Sequence, residues 1–156
     1  MKQAEILVIG GGIAGLSAAT RFAAHGHTVV VERESAIGYH SCGRSATFAH
    51  FGIGDDAVRG MTAASLAFFL DPPAGFSEVA LSQAKSALFI ANDAMLGDLR
   101  ALEHEMNRFA DTIRPVGPEE MLAIVPVLKV GAGGAVAGLL DVGGRKLDAD
   151  LLLQSH

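Results

Sequence analysis

The sequence has 156 residues, of which 50% are apolar and 19% charged, and a formal net charge of −5. Apolar content at this level excludes a disordered chain, and an acidic balance without clustered cations excludes a nucleic-acid binder. The length holds one domain or parts of two.

Residues 4–9, AEILVI, form a β-branched-rich run read as a buried strand, ended by Gly10, Gly11 and Gly12. Residues 13–25 then place Ile13, Leu16, Ala19 or Thr20, and Ala23 on one helical face, and Gly26 stops the helix. Residues 28–32, TVVVE, read as a second strand. Strand, glycine turn, helix and strand in about thirty residues make a βαβ unit.

Residues 33–47 are polar and irregular, with a helix expected from Ser45 onward. A helix follows over 55–70, with Asp55 or Asp56 at its positive end, and Asp71-Pro72-Pro73 stops it. Residues 86–91 read as a strand. Asn92 or Asp93 caps a long helix over 93–110, with Met95, Leu99, Leu102, Met106 and Phe109 as its apolar stripe. A short strand at 112–116, a helix opened by Pro118, a strand at 134–142 and a Gly143-Gly144 turn come next. Asp148 caps a final short helix whose Leu151, Leu152 and Leu153 are expected to find little to pack against unless the chain once continued.

Cys42 is the sole cysteine, which excludes a disulfide framework or a thiolate zinc cluster and fits a reducing compartment. Residues 5–19 carry Glu5 in the flank and three successive glycines, so they read neither as a signal peptide nor as a transmembrane segment. The expectation is a cytoplasmic protein.

Gly10, Gly12 and Gly15 match GxGxxG within GGGIAG. The first allows a tight turn, the second lets backbone approach a pyrophosphate, and the third lets the helix lie close on the strands. The helix N-terminus offers unpaired N–H groups to the phosphates. Glu32 closes the second strand seventeen residues beyond Gly15, where a carboxylate accepts from ribose hydroxyls and repels a ribose phosphate. The site is read as a dinucleotide site that disfavours NADP.

The residues after Glu32 separate FAD from NAD. Glu32 leads directly into a Gly/Ser/Arg loop, RESAIGYHSCGRSA, rather than into a further helix and parallel strand. With Gly10, Gly12, Gly15, Glu32, Tyr39-His40 and Gly43-Arg44-Ser45-Ala46 in place, the sequence resembles the glycine/D-amino-acid oxidase-like (DAO) family of FAD-dependent oxidoreductases. The resemblance implies FAD as cofactor. It places Gly10, Gly11, Gly12, Ile13, Ala14 and Gly15 at the pyrophosphate, Glu32 at the ribose and Arg33 on the adenine side. It runs Cys42, Gly43, Arg44, Ser45 and Ala46 toward the flavin ring, with Cys42 standing where a hydroxyl residue is expected.

The fold implied is α/β, a Rossmann-like FAD-binding βαβ unit plus the start of an α+β substrate domain, with a division into residues 1–70 and 71–156. Family members are typically more than twice as long, so the expectation is a truncated N-terminal portion with little turnover. The activity implied is oxidation of an amine or amino-acid C–N bond by hydride transfer to flavin. Two alternatives stand beside it: a non-catalytic FAD-binding subunit completed by a partner chain, and an NAD-dependent dehydrogenase fragment. The His25/His27 pair, Glu103-His104-Glu105 and Asp55-Asp56 carry no metal or catalytic pattern and read as loop, solvated face and cap. His40 reads as structural, and no catalytic residue is assigned.

Overall fold

The computed structural model describes residues 3–156. In chain order the elements are β1 (Ile6–Ile9), α1 (Ile13–Phe22), β2 (Thr28–Val31), α2 (Ser41–Arg44), β3 (Phe48–Ala49), α3 (Asp56–Leu70), β4 (Ser82–Ala84), β5 (Ala87–Ala91), α4 (Leu96–Met106), β6 (Ile113–Val116), α5 (Pro118–Ile124), β7 (Ala137–Asp141), β8 (Arg145–Leu147) and α6 (Ala149–Gln154). They gather into two compact units of interleaved segments. One comprises the chain through Thr47, Phe69–Ser82 and Leu147–His156; the other comprises Phe48–Phe68 and Gln83–Lys146. Most of α3, grouped with the N-terminal region in the sequence reading, therefore lies in the second unit.

In the first unit β1 and β2 pair in parallel, from Ile6 opposite Thr28 to Ile9 opposite Val31, and α1 is the crossover between them. Parallel strands need such a crossover, so the βαβ reading holds. Leu7, Ile9 and Val31 nevertheless remain 57%, 82% and 42% exposed. At the far end of the unit Asp148 caps α6 by accepting from the Leu151 N–H at 2.9 Å. Leu152 and Leu153 are buried, Leu153 lying where any side chain on Gly38 would strike it. This corrects, for Leu152 and Leu153, the expectation of little to pack against: α6 packs on α1 and α2 within its own unit.

The second unit is built on an antiparallel sheet ordered β5-β7-β6, with Leu88 opposite Leu140 and Val116 opposite Gly138. Alternation along β7 sends Leu139 to one face and Leu140 to the other. The first face meets Phe51, Ala91, Leu99, Met106 and Ile113; the second meets Val116, Met121 and Ala135. Pro115 is tolerated because β6 is an edge strand. The expected helix over 93–110 is shorter: Asp93–Met95 is a 3-10 turn, Asn92 caps it by accepting from the Met95 N–H, and α4 ends at Met106. Met95 is exposed and drops out of the apolar stripe.

Three polar groups inside this unit escape a hydrophobic-pattern reading. Arg59 is 5% exposed and donates from Nε to the Phe51 carbonyl at 2.9 Å, with Glu105 2.8 Å from its other arm. Glu105 is thus an ion-pair partner and not merely part of a solvated face. Asp141 is wholly buried; its Oδ1 accepts from Thr112 Oγ1 at 2.8 Å and from the Gly143 N–H at 2.9 Å, fixing the turn after β7. Burial lowers the pKa of His50 against the opposing pull of Asp141, and its Nδ1 accepts from the Gly52 N–H at 3.1 Å. The neutral ring therefore carries its proton on Nε2.

Within α3, a methyl group on Gly60 would meet only Phe109, at 3.9 Å. Replacing Gly60 by alanine is expected to stabilise the chain by roughly 0.5–1 kcal/mol through helix propensity alone. A urea titration checks it, as a rise in midpoint at unchanged slope.

Candidate dinucleotide-binding site

The site begins where β1 ends. Gly10 donates to the Val31 carbonyl at 2.8 Å, continuing the parallel ladder, and then turns with φ of +110°, a conformation glycine adopts freely and other residues rarely do. Gly12 is the extended N-cap of α1 and supplies no side chain to its first N–H groups. A methyl group on Gly12 would meet only Cys42 Sγ, at 3.6 Å, so space above the turn is open. At Gly15 the opposite holds, since a Cβ there would stand 1.9 Å from the Gly10 carbonyl oxygen. Tight turn, open approach and close packing thus fall on the three glycines of the motif.

Glu32 lies one residue beyond β2 and folds back over the turn. Its Oε2 accepts from the Gly11 N–H at 2.7 Å, and its Oε1 accepts from the N–H groups of Arg33 at 2.7 Å and Glu34 at 3.0 Å. The backbone N–H groups of Glu34 and Gly11, in that order, hold its pKa below the ordinary glutamate range. A carboxylate lowered this way makes its contribution in full above that range and loses it as pH falls through the lowered value. Acidification from pH 8 is therefore expected to leave the Gly11 amide resonance in place down to the ordinary glutamate range and to shift it only below that. A midpoint near neutrality would contradict the assignment.

Arg33 and His40 converge on Glu34 instead of pointing toward Glu32. Arg33 reaches Glu34 Oε1 at 2.9 Å and His40 Nε2 lies 2.9 Å from the same oxygen; the two bonds, Arg33 first, lower the Glu34 pKa. The Arg33 side chain is 84% exposed, clear of the turn.

The second motif differs from expectation in its local structure. Cys42, Gly43 and Arg44 lie in the single turn of α2, and Ser45 ends that turn in extended backbone where a helix was expected to begin. Backbone bonds explain the shift. The Gly43 N–H donates to the Gly38 carbonyl at 2.8 Å, closing the turn early, and Thr47 then takes a left-handed φ of 44°. Ser45 Oγ accepts from the Thr47 N–H at 3.2 Å, so its hydroxyl steadies this exit, and Ala46 stands exposed beside it. Arg44 lies over the Tyr39 ring, 5.8 Å from its centroid.

Cys42 faces the first motif. The Ile13 N–H, at the start of α1, donates to Cys42 Sγ at 3.4 Å, and Ala14 follows exposed. A cavity of about 270 Å³ opens between Ile13, Ser41, Cys42, Ser45, Thr47 and the α6 residues Ala149, Leu152 and Leu153. The two motifs, separated by more than twenty residues in sequence, thus meet in one unit. Among the described residues no cluster of His, Cys, Asp and Glu is arranged to hold a metal ion. None of the described helices is long and apolar enough to cross a membrane.

A model of the FAD dependent oxidoreductase family (DAO) matches residues 5–155. The chain belongs to that family. FAD is its cofactor, and the open approach over Gly12, a cap residue with no side chain of its own at the start of α1, fits a pyrophosphate-bearing group. Among solved structures the chain is similar to L-α-glycerophosphate oxidase from Mycoplasma pneumoniae, with TM-score 0.82 and 20% identity over 99% of this chain and 41% of that one. It is similar to L-proline dehydrogenase from P. horikoshii, with TM-score 0.76 and 27% identity over 99% of this chain and 40% of that one. Glycine oxidase from Geobacillus kaustophilus matches with TM-score 0.77 and 12% identity over 99% of this chain and 43% of that one. The DAO-family chain thus spans about two-fifths of the length of these structures.

Proposed function

We propose that this chain is the dinucleotide-gripping portion of an oxidoreductase that oxidises the C–N bond of an amine or amino acid. The observation that carries the reading is the pairing of the Gly10–Gly15 turn with Glu32 in a member of an FAD-dependent family. In this reading Gly10 to Gly15 face the pyrophosphate, Glu32 takes the adenosine ribose, and Cys42 to Ala46 run toward the flavin. Arg33, bonded to Glu34, lies toward the adenine. When bound, FAD supplies the hydride acceptor: the substrate carbon gives up hydride, the nitrogen loses a proton, and an imine results.

The C–N assignment draws support from relatives whose names specify proline dehydrogenase, glycine oxidase and L-amino acid deaminase. The glycerophosphate oxidase keeps oxidation at a C–O bond as the competitor. Anaerobic mixing of the FAD-loaded chain with glycine, proline and glycerol 3-phosphate separates them. Slow bleaching of the flavin band by the amino acids is expected, and bleaching by glycerol 3-phosphate alone would overturn the assignment.

A second reading has its own observation. The exposed Leu7, Ile9 and Val31 on a two-stranded parallel sheet favour a subunit completed by a partner polypeptide. Co-purification of a second chain in stoichiometric amount is the expected result in that case, and the turnover of the 156-residue chain alone would be small. A cytoplasmic setting accords with the single thiol, Cys42. No observation favours the NAD-dependent alternative.

A further inference from the structure

Glu32 does more in this structure than present a carboxylate to solvent. Its Oε2 accepts from the Gly11 N–H at 2.7 Å. The other side of that residue is also engaged, because the Gly11 carbonyl accepts from the Gly38 N–H at 3.0 Å. The Gly38 carbonyl in turn accepts from the Gly43 N–H at 2.8 Å, inside α2. Three glycines thus carry a continuous run of hydrogen bonds from Glu32 to the loop that holds Cys42 and Arg44.

The side-chain-free positions are required for the run to close. A Cβ on Gly43 would stand 2.7 Å from the Gly38 carbonyl oxygen, and one on Gly38 would stand 2.4 Å from Leu153 Cδ1. Gly38 also has φ of +66°, and Gly11 and Gly38 are both buried residues, so their N–H and carbonyl groups meet little water. α2 is a single turn and does not hold itself: its start has no side-chain cap.

We propose that Glu32 is a positioning residue for the 41–46 loop, acting through Gly11, Gly38 and Gly43, so that the two ends of the cofactor site are built on one hydrogen-bonded frame. The proposal rests on the dinucleotide reading for the meaning of the two ends, but the coupling itself belongs to the cofactor-free chain and is tested there. Cys42 is the reporter, being the only thiol and the neighbour of Gly43.

The experiment is the rate of Cys42 alkylation by iodoacetamide in the full chain without cofactor. Glu32→Ala is expected to raise that rate about fivefold or more, the lower end of ordinary coupling between sites. Glu32→Gln is expected to fall between wild type and Glu32→Ala, because its one amide oxygen can accept either from the Gly11 N–H or from the N–H groups of Arg33 and Glu34, and its NH2 then faces a donor on the other side. Glu5→Ala is the control for general loosening: Glu5 Oε2 accepts from the His27 N–H at 2.9 Å at the opposite end of the same βαβ unit. That variant is expected to alkylate at the wild-type rate. Equal rates for wild type and Glu32→Ala would overturn the proposal, and so would an equal rise in Glu5→Ala. Weaker FAD binding by Glu32→Ala with unchanged alkylation would uphold the dinucleotide reading and overturn the relay. Faster alkylation in a chain that binds no FAD would do the reverse.

Discussion

Replacing Gly15 by alanine is expected to destabilise the chain by about 2 kcal/mol and to abolish FAD retention. Two effects oppose each other. Alanine in a helix ordinarily gains about 1 kcal/mol over glycine. Here its methyl group would stand 1.9 Å from the Gly10 carbonyl oxygen and 3.1 Å from the Gly10 carbonyl carbon. Those atoms are backbone, so no rotamer change relieves the contact, and the cost lies at the upper end of the roughly 1–3 kcal/mol of overpacking, which leaves about 2 kcal/mol after the helix gain. The turn must open, and with it the geometry proposed to bring α1 up to the phosphates. Urea unfolding and quenching of FAD fluorescence measure the two effects. Gly60→Ala, the same substitution in a helix with space for it, is the internal standard. A Gly15→Ala chain as stable and as competent for FAD as wild type would remove the packing argument.

Replacing Arg59 by alanine is expected to cost about 3 kcal/mol. The guanidinium is 5% exposed and satisfies the carbonyl of Phe51, itself in the core. Removing it leaves that acceptor without its donor and opens a void. Glu105 is about half exposed and can turn to water, which keeps the loss toward the lower end for a broken buried pair. Arg108 offers the contrast. It makes a two-armed bond to Asp56 at 3.1 and 2.6 Å, but both side chains are about half exposed. Arg108→Ala is expected to cost less than about 1 kcal/mol. Equal losses for the two would show that burial does not decide their worth.

The βαβ unit was legible in the sequence because each of its features is local: a β-branched run, glycines with distinct steric duties, and an acidic residue at a strand end. The capping side chains of Asn92 and Asp148 were legible for the same reason, since an N-cap is a bond between residues three apart. The loop after Glu32 was not. Its single turn is closed by Gly38, which no periodicity announces, and the exit at Thr47 is a backbone torsion rather than a residue preference. Glu105 read as part of a solvated face because its partner, Arg59, stands on another helix, 46 residues away. Leu152 and Leu153 looked unpartnered because the surface they cover, Gly38 and Cys42, lies more than 100 residues back. Outside that loop, what failed was non-local, and packing decided it.

The visible absorption spectrum of the purified chain, taken after incubation with FAD and desalting, tests the central claim most directly. The turn at Gly10–Gly15, the carboxylate of Glu32 and the Cys42–Ala46 loop predict a retained flavin band, reduced in Glu32→Ala and absent in Gly15→Ala. A folded chain that emerges colourless, or one that retains NADH in place of FAD, would contradict the account.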